Sequence, residues 1–210
     1  PRGPLESVPV TAVNRGRYRA RCAFTLLEAV VALGIAAMAA TALSLGLASA
    51  IQGTESTVEY AIGQAMAEQI IDEALGLSYV IPGGDPYQAW LGPSAAETAA
   101  PGRSIYNDTD DFNGFVASPP EAPSGIPIGK DNGDGNLRHP NFYVEDGYLD
   151  RWKQQVEVYY VDEDDPSVRL ASGATSSMRA IEVVILRVAL DGTEREVARS
   201  RRVFTYIPEI

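Results

Sequence analysis

The chain of 210 residues contains a single cysteine, Cys22, and a single histidine, His139. No thiol therefore follows residue 22 to form a disulfide, act as a nucleophile or bind a metal. The sequence also has no Gly-x-Ser-x-Gly segment, no phosphate-binding loop and no zinc signature. These absences predict a protein that is not an enzyme and has no required cofactor.

Charge and proline are missing from the N-terminal third. No charged residue occurs between Ala29 and Thr54, and no proline occurs between Pro9 and Pro82. The apolar run at 24–51 is long enough to cross the ~30 Å hydrocarbon core of a membrane as a helix. The sequence therefore predicts one membrane-spanning helix.

The charge distribution indicates the orientation of this helix. Residues 1–23 hold five arginines and one glutamate, a charge of +4 within a chain of net charge −11. No lysine or arginine occurs at 23–101. By the positive-inside rule, the N-terminus is predicted to be cytoplasmic and the region after residue 51 to lie outside. That region is acidic and repels phosphate backbones, so nucleic acid is a poor partner.

Beyond the apolar run, the periodicity predicts an α+β fold. Apolar residues recur at three- and four-residue spacing over 52–81, which predicts an amphipathic continuation of the helix. Residues 82–150 are rich in proline, glycine, asparagine and aspartate and are predicted to be a loop-rich region. Residues 151–210 alternate and contain the turn signal Asp191-Gly192, which predicts an antiparallel sheet of at least three strands. We expect this sheet to pack on the amphipathic part of the long N-terminal helix.

The segment Arg21-Cys22-Ala23-Phe24-Thr25-Leu26-Leu27-Glu28 carries the most specific signal. Over residues 19–51 the chain resembles the type IV pilin and type II secretion pseudopilin superfamily. The resemblance implies that prepilin peptidase removes residues 1–23 as a leader, by cleavage between Ala23 and Phe24, and methylates the new terminus at Phe24. The family usually has glycine at the position of Ala23, and alanine is its usual substitute.

Glu28 places a carboxylate near the start of the apolar run, where a charge is costly unless it is paired or near the interface. The resemblance implies that Glu28 meets the N-terminal amine of a neighbouring subunit during assembly. Such a pair contributes register more than stability, because a misplaced subunit leaves both charges unpaired. The alternative is a glutamate at the level of the cytoplasmic headgroups without a special partner.

The resemblance also implies a function as a minor pilin or pseudopilin in a type IV pilus or a type II secretion pseudopilus. Many major pilins have a disulfide-closed C-terminal loop and a proline in the apolar helix. This chain has no cysteine after Cys22 and no proline in its apolar run, which favours a minor pilin or pseudopilin over a major filament subunit. The implied location is the bacterial inner membrane, with a single pass, a periplasmic C-terminal domain and a filament after assembly. The implied partners are prepilin peptidase, other pilin or pseudopilin subunits and the inner-membrane assembly machinery.

Two other interpretations of the apolar run remain. A secretory signal peptide would be cleaved after it, and Ala48-Ser49-Ala50 fits such a site superficially, although the run is longer than most signals. A plain signal anchor fits the length and would make the chain a membrane-anchored periplasmic binding domain that does not assemble.

Two acidic loops are candidates for a Ca²⁺ site. Asp108, Asp110 and Asp111 lie in one, and Asp131 and Asp134 lie in the other. Ca²⁺ takes six to eight oxygen ligands at flexible geometry, which such loops can supply. The alternative is that these residues form solvated turns, which aspartate, asparagine and glycine favour.

Overall fold

The structure, a computed structural model, describes residues 25–129, 144–145 and 147–208. The chain divides into two compact units, one at 1–51 and the other at 52–210. A single helix, α1 (Leu26–Leu75, 50 residues), belongs to both.

In the first unit, three hydroxyl groups form hydrogen bonds within α1 or at its start. The hydroxyl of Thr25 accepts a hydrogen bond from the backbone N–H of Glu28 at 3.2 Å, as a helix N-cap does. Glu28 lies in the first turn, where a carboxylate is favourable for the helix dipole. The hydroxyls of Thr41 and Ser44 donate to carbonyl oxygens four residues earlier, each at 2.9 Å. These side chains therefore need no partner outside the helix.

The apolar part of α1 is long enough to cross a membrane. Its most apolar 18-residue window has a mean hydropathy of 2.1, and no part of that window is buried within the chain. A helix of this kind near an N-terminus fits either a single membrane span or a signal helix.

In the second unit, α1 packs against a four-stranded antiparallel sheet in the order β1-β2-β3-β4. The strands are β1 (Val116–Ala117), β2 (Trp152–Tyr160), β3 (Met178–Val188) and β4 (Glu194–Thr205). The predicted α+β fold is confirmed, and the three long strands lie within the segments that alternate in the sequence.

The core lies between one face of α1 and one face of the sheet. The helix contributes Met66, Ala67, Ile70, Ile71 and Ala74, all at three- or four-residue spacing. The two central strands contribute alternate residues, namely Val156, Val158, Ile181, Val183 and Ile185. Full burial of each large aliphatic side chain stabilises the fold by about 1.5–3 kcal/mol, so this interface determines how the helix sits on the sheet.

Helix and sheet approach each other closely at Gly63. A Cβ at this position would lie 3.0 Å from the Cβ of Ala198 and 3.1 Å from Cγ1 of Val197. The register between β3 and β4 shifts at Ile185/Leu186, and Val197 is the extra residue. Such a bulge turns two consecutive residues of one strand towards a neighbour. The bulge and the glycine together allow this contact.

The helix ends earlier than the sequence pattern predicts. The pattern extends to residue 81, whereas α1 ends at Leu75. Gly76 follows, and the N–H of Leu77 then bonds to the carbonyl of Ala74 at 3.1 Å, a tighter turn than the α-helix. Glycine weakens helix propagation by about 1 kcal/mol, so α1 stops there and not at Pro82.

Between α1 and β2, the described residues have little regular structure. They contain a four-residue helix α2 (Ala95–Thr98), a three-residue 3-10 helix (Asp110–Phe112) and β1. The described residues of 82–150 agree with the predicted loop-rich character. These loops hold the acidic residues of one predicted metal site.

Candidate functional sites

The described structure begins just after the predicted cleavage site. Ala23 and Phe24 lie outside the described residues, so their predicted processing stays a prediction. Glu28 is described, and its side chain is exposed in the single chain. Its backbone N–H is capped by Thr25. The Thr-x-x-Glu spacing therefore starts the helix and leaves the Glu28 carboxylate without a partner among the described residues.

The apolar side chains of α1 in the first unit are also exposed. The larger ones are Leu26, Leu27, Val30, Val31, Leu33, Ile35, Met38, Leu43, Leu45, Leu47 and Ile51, with exposed fractions from 52% to 83%. Exposed apolar area on this scale is unstable in water and marks a surface that contacts lipid or other proteins. This part of α1 therefore requires a cover that the described residues do not provide.

The predicted calcium ligands Asp108, Asp110 and Asp111 come together in the second unit. One carboxylate oxygen from each lies within 4.8 Å of the others, and all three residues are buried. The 3-10 helix, which includes Asp110 and Asp111, brings these side chains together. The other two predicted ligands, Asp131 and Asp134, lie outside the described residues.

The oxygens of these carboxylates already accept hydrogen bonds from the backbone. Asp108 accepts from the N–H of Ile81 at 3.2 Å and of Asp110 at 3.0 Å. Asp111 accepts from the N–H of Asn107 at 2.8 Å and of Asp108 at 3.3 Å. The acidic loop is therefore a buried hydrogen-bonded cluster and does not consist of solvated turns. Calcium binding there stays a prediction.

Asp110 connects this cluster to a buried arginine. It accepts a hydrogen bond from the N–H of Gly92 at 3.3 Å, and its other oxygen lies 3.2 Å from Nη1 of Arg179. The Arg179 side chain has no exposed surface. Its guanidinium also donates to the Tyr79 carbonyl at 2.8 Å and to the Tyr160 hydroxyl at 3.1 Å.

Arg179 also stacks on an aromatic ring. Its guanidinium carbon lies 4.1 Å from the centroid of the Tyr79 ring, which adds a cation–π contact. Arg179 thus joins β3, the segment that follows α1 and the acidic loop. Sequence reasoning missed this role, although Arg179 shares the period-two face of the buried Ile181, Val183 and Ile185.

Burial raises the pKa of two carboxyl groups in this cluster. Desolvation, with the neighbouring carboxyl of Asp110, raises the pKa of Asp108 to about 6. Burial also raises the pKa of Asp111. The nearby Glu97 shows the opposite effect, because its hydrogen bond with Ser94 at the N-terminus of α2 lowers its pKa.

Ion pairs hold α1 along β3 and β4. Glu59, which is buried, pairs with Arg187 and, at 2.6 Å, with Arg195. About two and a half turns further along the helix, Glu68 pairs with Arg202 at 3.0 Å. These ion pairs, one before the apolar interface of α1 and one within it, help to specify the register of the helix on the sheet.

Comparison with models of protein families, with curated proteins and with solved structures finds no match to this chain. What the structure establishes is a pilin-like architecture, with a long N-terminal apolar helix packed on a four-stranded antiparallel sheet.

Proposed function

We propose that this chain is a structural subunit, a minor pilin or pseudopilin, of a type IV pilus or a type II secretion pseudopilus. In this proposal, prepilin peptidase removes residues 1–23 and methylates Phe24. The subunit then sits in the bacterial inner membrane with its second unit in the periplasm until the assembly machinery adds it to a filament. Its role is structural, not enzymatic.

The observation that carries the proposal is the uncovered apolar surface of α1 directly after the prepilin-like motif. Between residues 26 and 51, large apolar side chains are exposed, while the part of α1 in the second unit is packed on the sheet. A lipid bilayer covers such a surface before assembly, and the helices of neighbouring subunits cover it in a filament. The same apolar surface of α1 thus contacts lipid before assembly and neighbouring subunits in the filament.

Glu28 has a defined part in this scheme. Cleavage before Phe24 creates a positively charged amine close to the Glu28 position of an adjacent subunit. A carboxylate without a partner in the apolar region is unfavourable by several kcal/mol, so pairing with that amine selects a subunit at the correct axial level. Thr25 caps the helix through the backbone of Glu28, so the carboxylate itself is left for the neighbour.

Replacement of Glu28 tests this role. We expect Glu28→Val to leave the membrane level of the protein unchanged and to abolish its incorporation into sheared filaments, measured by immunoblotting of filament and membrane fractions. Glu55→Gln is the matched control, because Glu55 is another exposed glutamate of α1 that lies beyond the apolar run. Incorporation of the Glu28→Val protein at the wild-type level would contradict the role of Glu28.

A further inference from the structure

The outer edge of β2 is paired along most of its length. Odd-numbered residues of this segment direct their backbone groups to β3, as the bond from the N–H of Val161 to the Met178 carbonyl at 3.1 Å shows. Even-numbered residues therefore direct theirs to the outer edge. There, Val156 exchanges hydrogen bonds with Gly114 and Phe115, which precede β1. The chain itself thus closes this edge as far as Val156.

Beyond Val156 the pairing has a gap. The N–H of Val158 bonds to Oδ1 of Asn113, and the carbonyl of Tyr160 accepts from the N–H of Leu170, each at 3.0 Å. Among the described residues, the carbonyl of Val158 and the N–H of Tyr160 have no partner. Both residues are buried, and buried backbone groups nearly always have a partner. The edge of β2 therefore lacks the backbone of one residue.

A cleft of about 300 Å³ opens at this gap, within the range of small ligand sites. Its lining includes β2 residues 158–160, loop residues 89–91, Asn113 and the segment 169–174. Trp90 belongs to this lining and has 84% of its surface exposed. Tryptophan side chains are on average highly buried, and tryptophan is enriched among the residues that dominate binding surfaces. The cleft therefore combines an exposed indole ring with two unpaired amide groups.

The two unpaired groups have the arrangement that a parallel β-bridge uses. In such a bridge, one partner residue donates its N–H to a strand carbonyl and accepts from the N–H two residues further along the strand. With Val158 and Tyr160 in these positions, the partner residue would lie beside Tyr159. Asn113 and Leu170 already occupy the edge on either side, so the bridge has room for one residue. The complement of the gap is therefore a single residue of an extended peptide.

Trp90 determines which side chains such a peptide needs. Tyr160 points to the side of the loop that includes Trp90, because its hydroxyl donates to the carbonyl of Gln88 at 3.0 Å. Side chains alternate between the two faces of a sheet. A partner residue beside Tyr159 would therefore direct its own side chain to the other face and the side chains of its neighbours towards Trp90. Those neighbours are expected to be apolar, since they pack on an aromatic ring.

We infer that this cleft binds an extended peptide segment of a partner protein, through a one-residue β-bridge to Val158 and Tyr160 and an apolar side chain on Trp90. A sugar ring can also stack on an exposed tryptophan, but the N–H and C=O of a strand edge match a peptide backbone. A strand that already belongs to a sheet does not fit a gap of one residue, so the occupant is a free segment. The inference goes beyond the proposed function, in which this side of the sheet has no role.

The fluorescence of Trp90 in the detergent-solubilised full chain tests the inference. The chain has two tryptophans, and Trp152 is fully buried, so acrylamide quenches mainly Trp90. The probe is the peptide acetyl-Ser-Leu-Thr-Leu-Ser-amide, whose alternating pattern offers a bridging residue between two apolar ones. The matched control is the same peptide with every amide N-methylated, which keeps the side chains and removes the hydrogen-bond donors.

We expect the probe to protect Trp90 from acrylamide and the methylated peptide to give no protection. Equal protection by the two peptides, or none by either, would overturn the β-bridge. Protection by chitotriose but not by the probe would assign the cleft to sugars instead. Protection that is present without any peptide and is lost on dilution of the protein would assign the cleft to a second copy of this chain.

Calorimetric titration with the same probe tests the contribution of Trp90. Trp90→Ala should weaken binding by roughly ten-fold or more, as truncation of an aromatic anchor does. Tyr87→Ala is the matched control, because Tyr87 is a half-exposed aromatic residue of the same loop that does not line the cleft. An equal effect of the two variants would contradict the role of Trp90. Cleavage before Phe24 does not enter these measurements, so their outcome is independent of the proposed function.

Discussion

Asp110 and Arg179 form an ion pair that is closed off from solvent, with 3.2 Å between the carboxylate and the guanidinium. The two side chains are 5% and 0% exposed, so neither can be solvated by water if the other is removed. They lie 69 positions apart in the chain, and their pairing fixes the acidic loop against β3.

Removal of one partner is expected to destabilise the second unit strongly. Arg179→Met leaves the Asp110 carboxylate buried without its cation, and breaking a buried pair in this way lowers the free energy of unfolding by about 3–5 kcal/mol. Urea denaturation of the detergent-solubilised full chain, followed by tryptophan fluorescence, measures the change. Trp152 lies in the core and reports on this unit.

An exposed ion pair between β2 and the segment that follows it provides the control. Arg169 lies 2.6 Å from Glu157, and both side chains are about half exposed. Arg169→Met should lower the free energy of unfolding by no more than about 1 kcal/mol, as exposed pairs do. Equal effects of the two methionine variants would show that the buried pair does not hold the loop.

The raised pKa of Asp108 predicts a pH-dependent contribution to stability. Burial raises this pKa from 3.8 to about 6, so the folded state binds the proton more tightly than the unfolded state. The stabilising contribution is complete below the unfolded value of 3.8 and is lost as the pH rises through 6. The free energy of unfolding of the wild type relative to Asp108→Asn should therefore fall between about pH 4 and 7.

Glu97 should behave in the opposite way. Its pKa is lowered by the hydrogen bond with Ser94, so its contribution is present above its ordinary value of 4.5 and is lost as the pH falls. The free energy of unfolding of the wild type relative to Glu97→Gln should therefore rise as the pH is raised from below 4.5 to above it. A pH-independent difference for Asp108→Asn would contradict the assignment of a raised pKa.

The contact at Gly63 predicts an intolerance to larger side chains. Gly63→Val would place branched methyl groups against Val197 and Ala198, whose atoms lie only 3.0–3.1 Å from the position of a new Cβ. Overpacking of this kind destabilises by about 1–3 kcal/mol. Thermal unfolding of the solubilised protein should show a lowered Tm.

Gly53 is the matched control in the same helix. No atom lies within 4 Å of a Cβ built at Gly53, so Gly53→Ala meets no obstacle. It should raise the stability of α1 by about 0.5–1 kcal/mol, because alanine loses less backbone entropy than glycine. A Gly63→Val protein as stable as the wild type would show that helix and sheet are not tightly packed there.

The local features of the fold were predictable from the sequence. The charge-free run and the period of 3.6 indicated α1, and alternation indicated β2, β3 and β4 to within a few residues. These signals depend only on neighbours along the chain. The end of α1 was predicted six residues too late, because one glycine, Gly76, outweighed an apolar pattern that continued beyond it.

The buried polar cluster could not be predicted in the same way. Asp108, Asp110 and Asp111 resemble a solvated or metal-binding loop in sequence, because aspartate is usually exposed. Their burial depends on Arg179, which lies about 70 residues away, and on backbone N–H groups of other loops. Contacts at such separations leave no periodic signal. Only the position of Arg179 on the apolar face of β3 hinted at it.

The N-terminus of the mature protein tests the central proposal most directly. Mass spectrometry of the N-terminal peptide of protein extracted from cell membranes should identify N-methylated Phe24 as the first residue. Recovery of a protein that still carries its arginine-rich residues 1–23 would contradict the proposal and would favour a membrane-anchored domain that does not assemble.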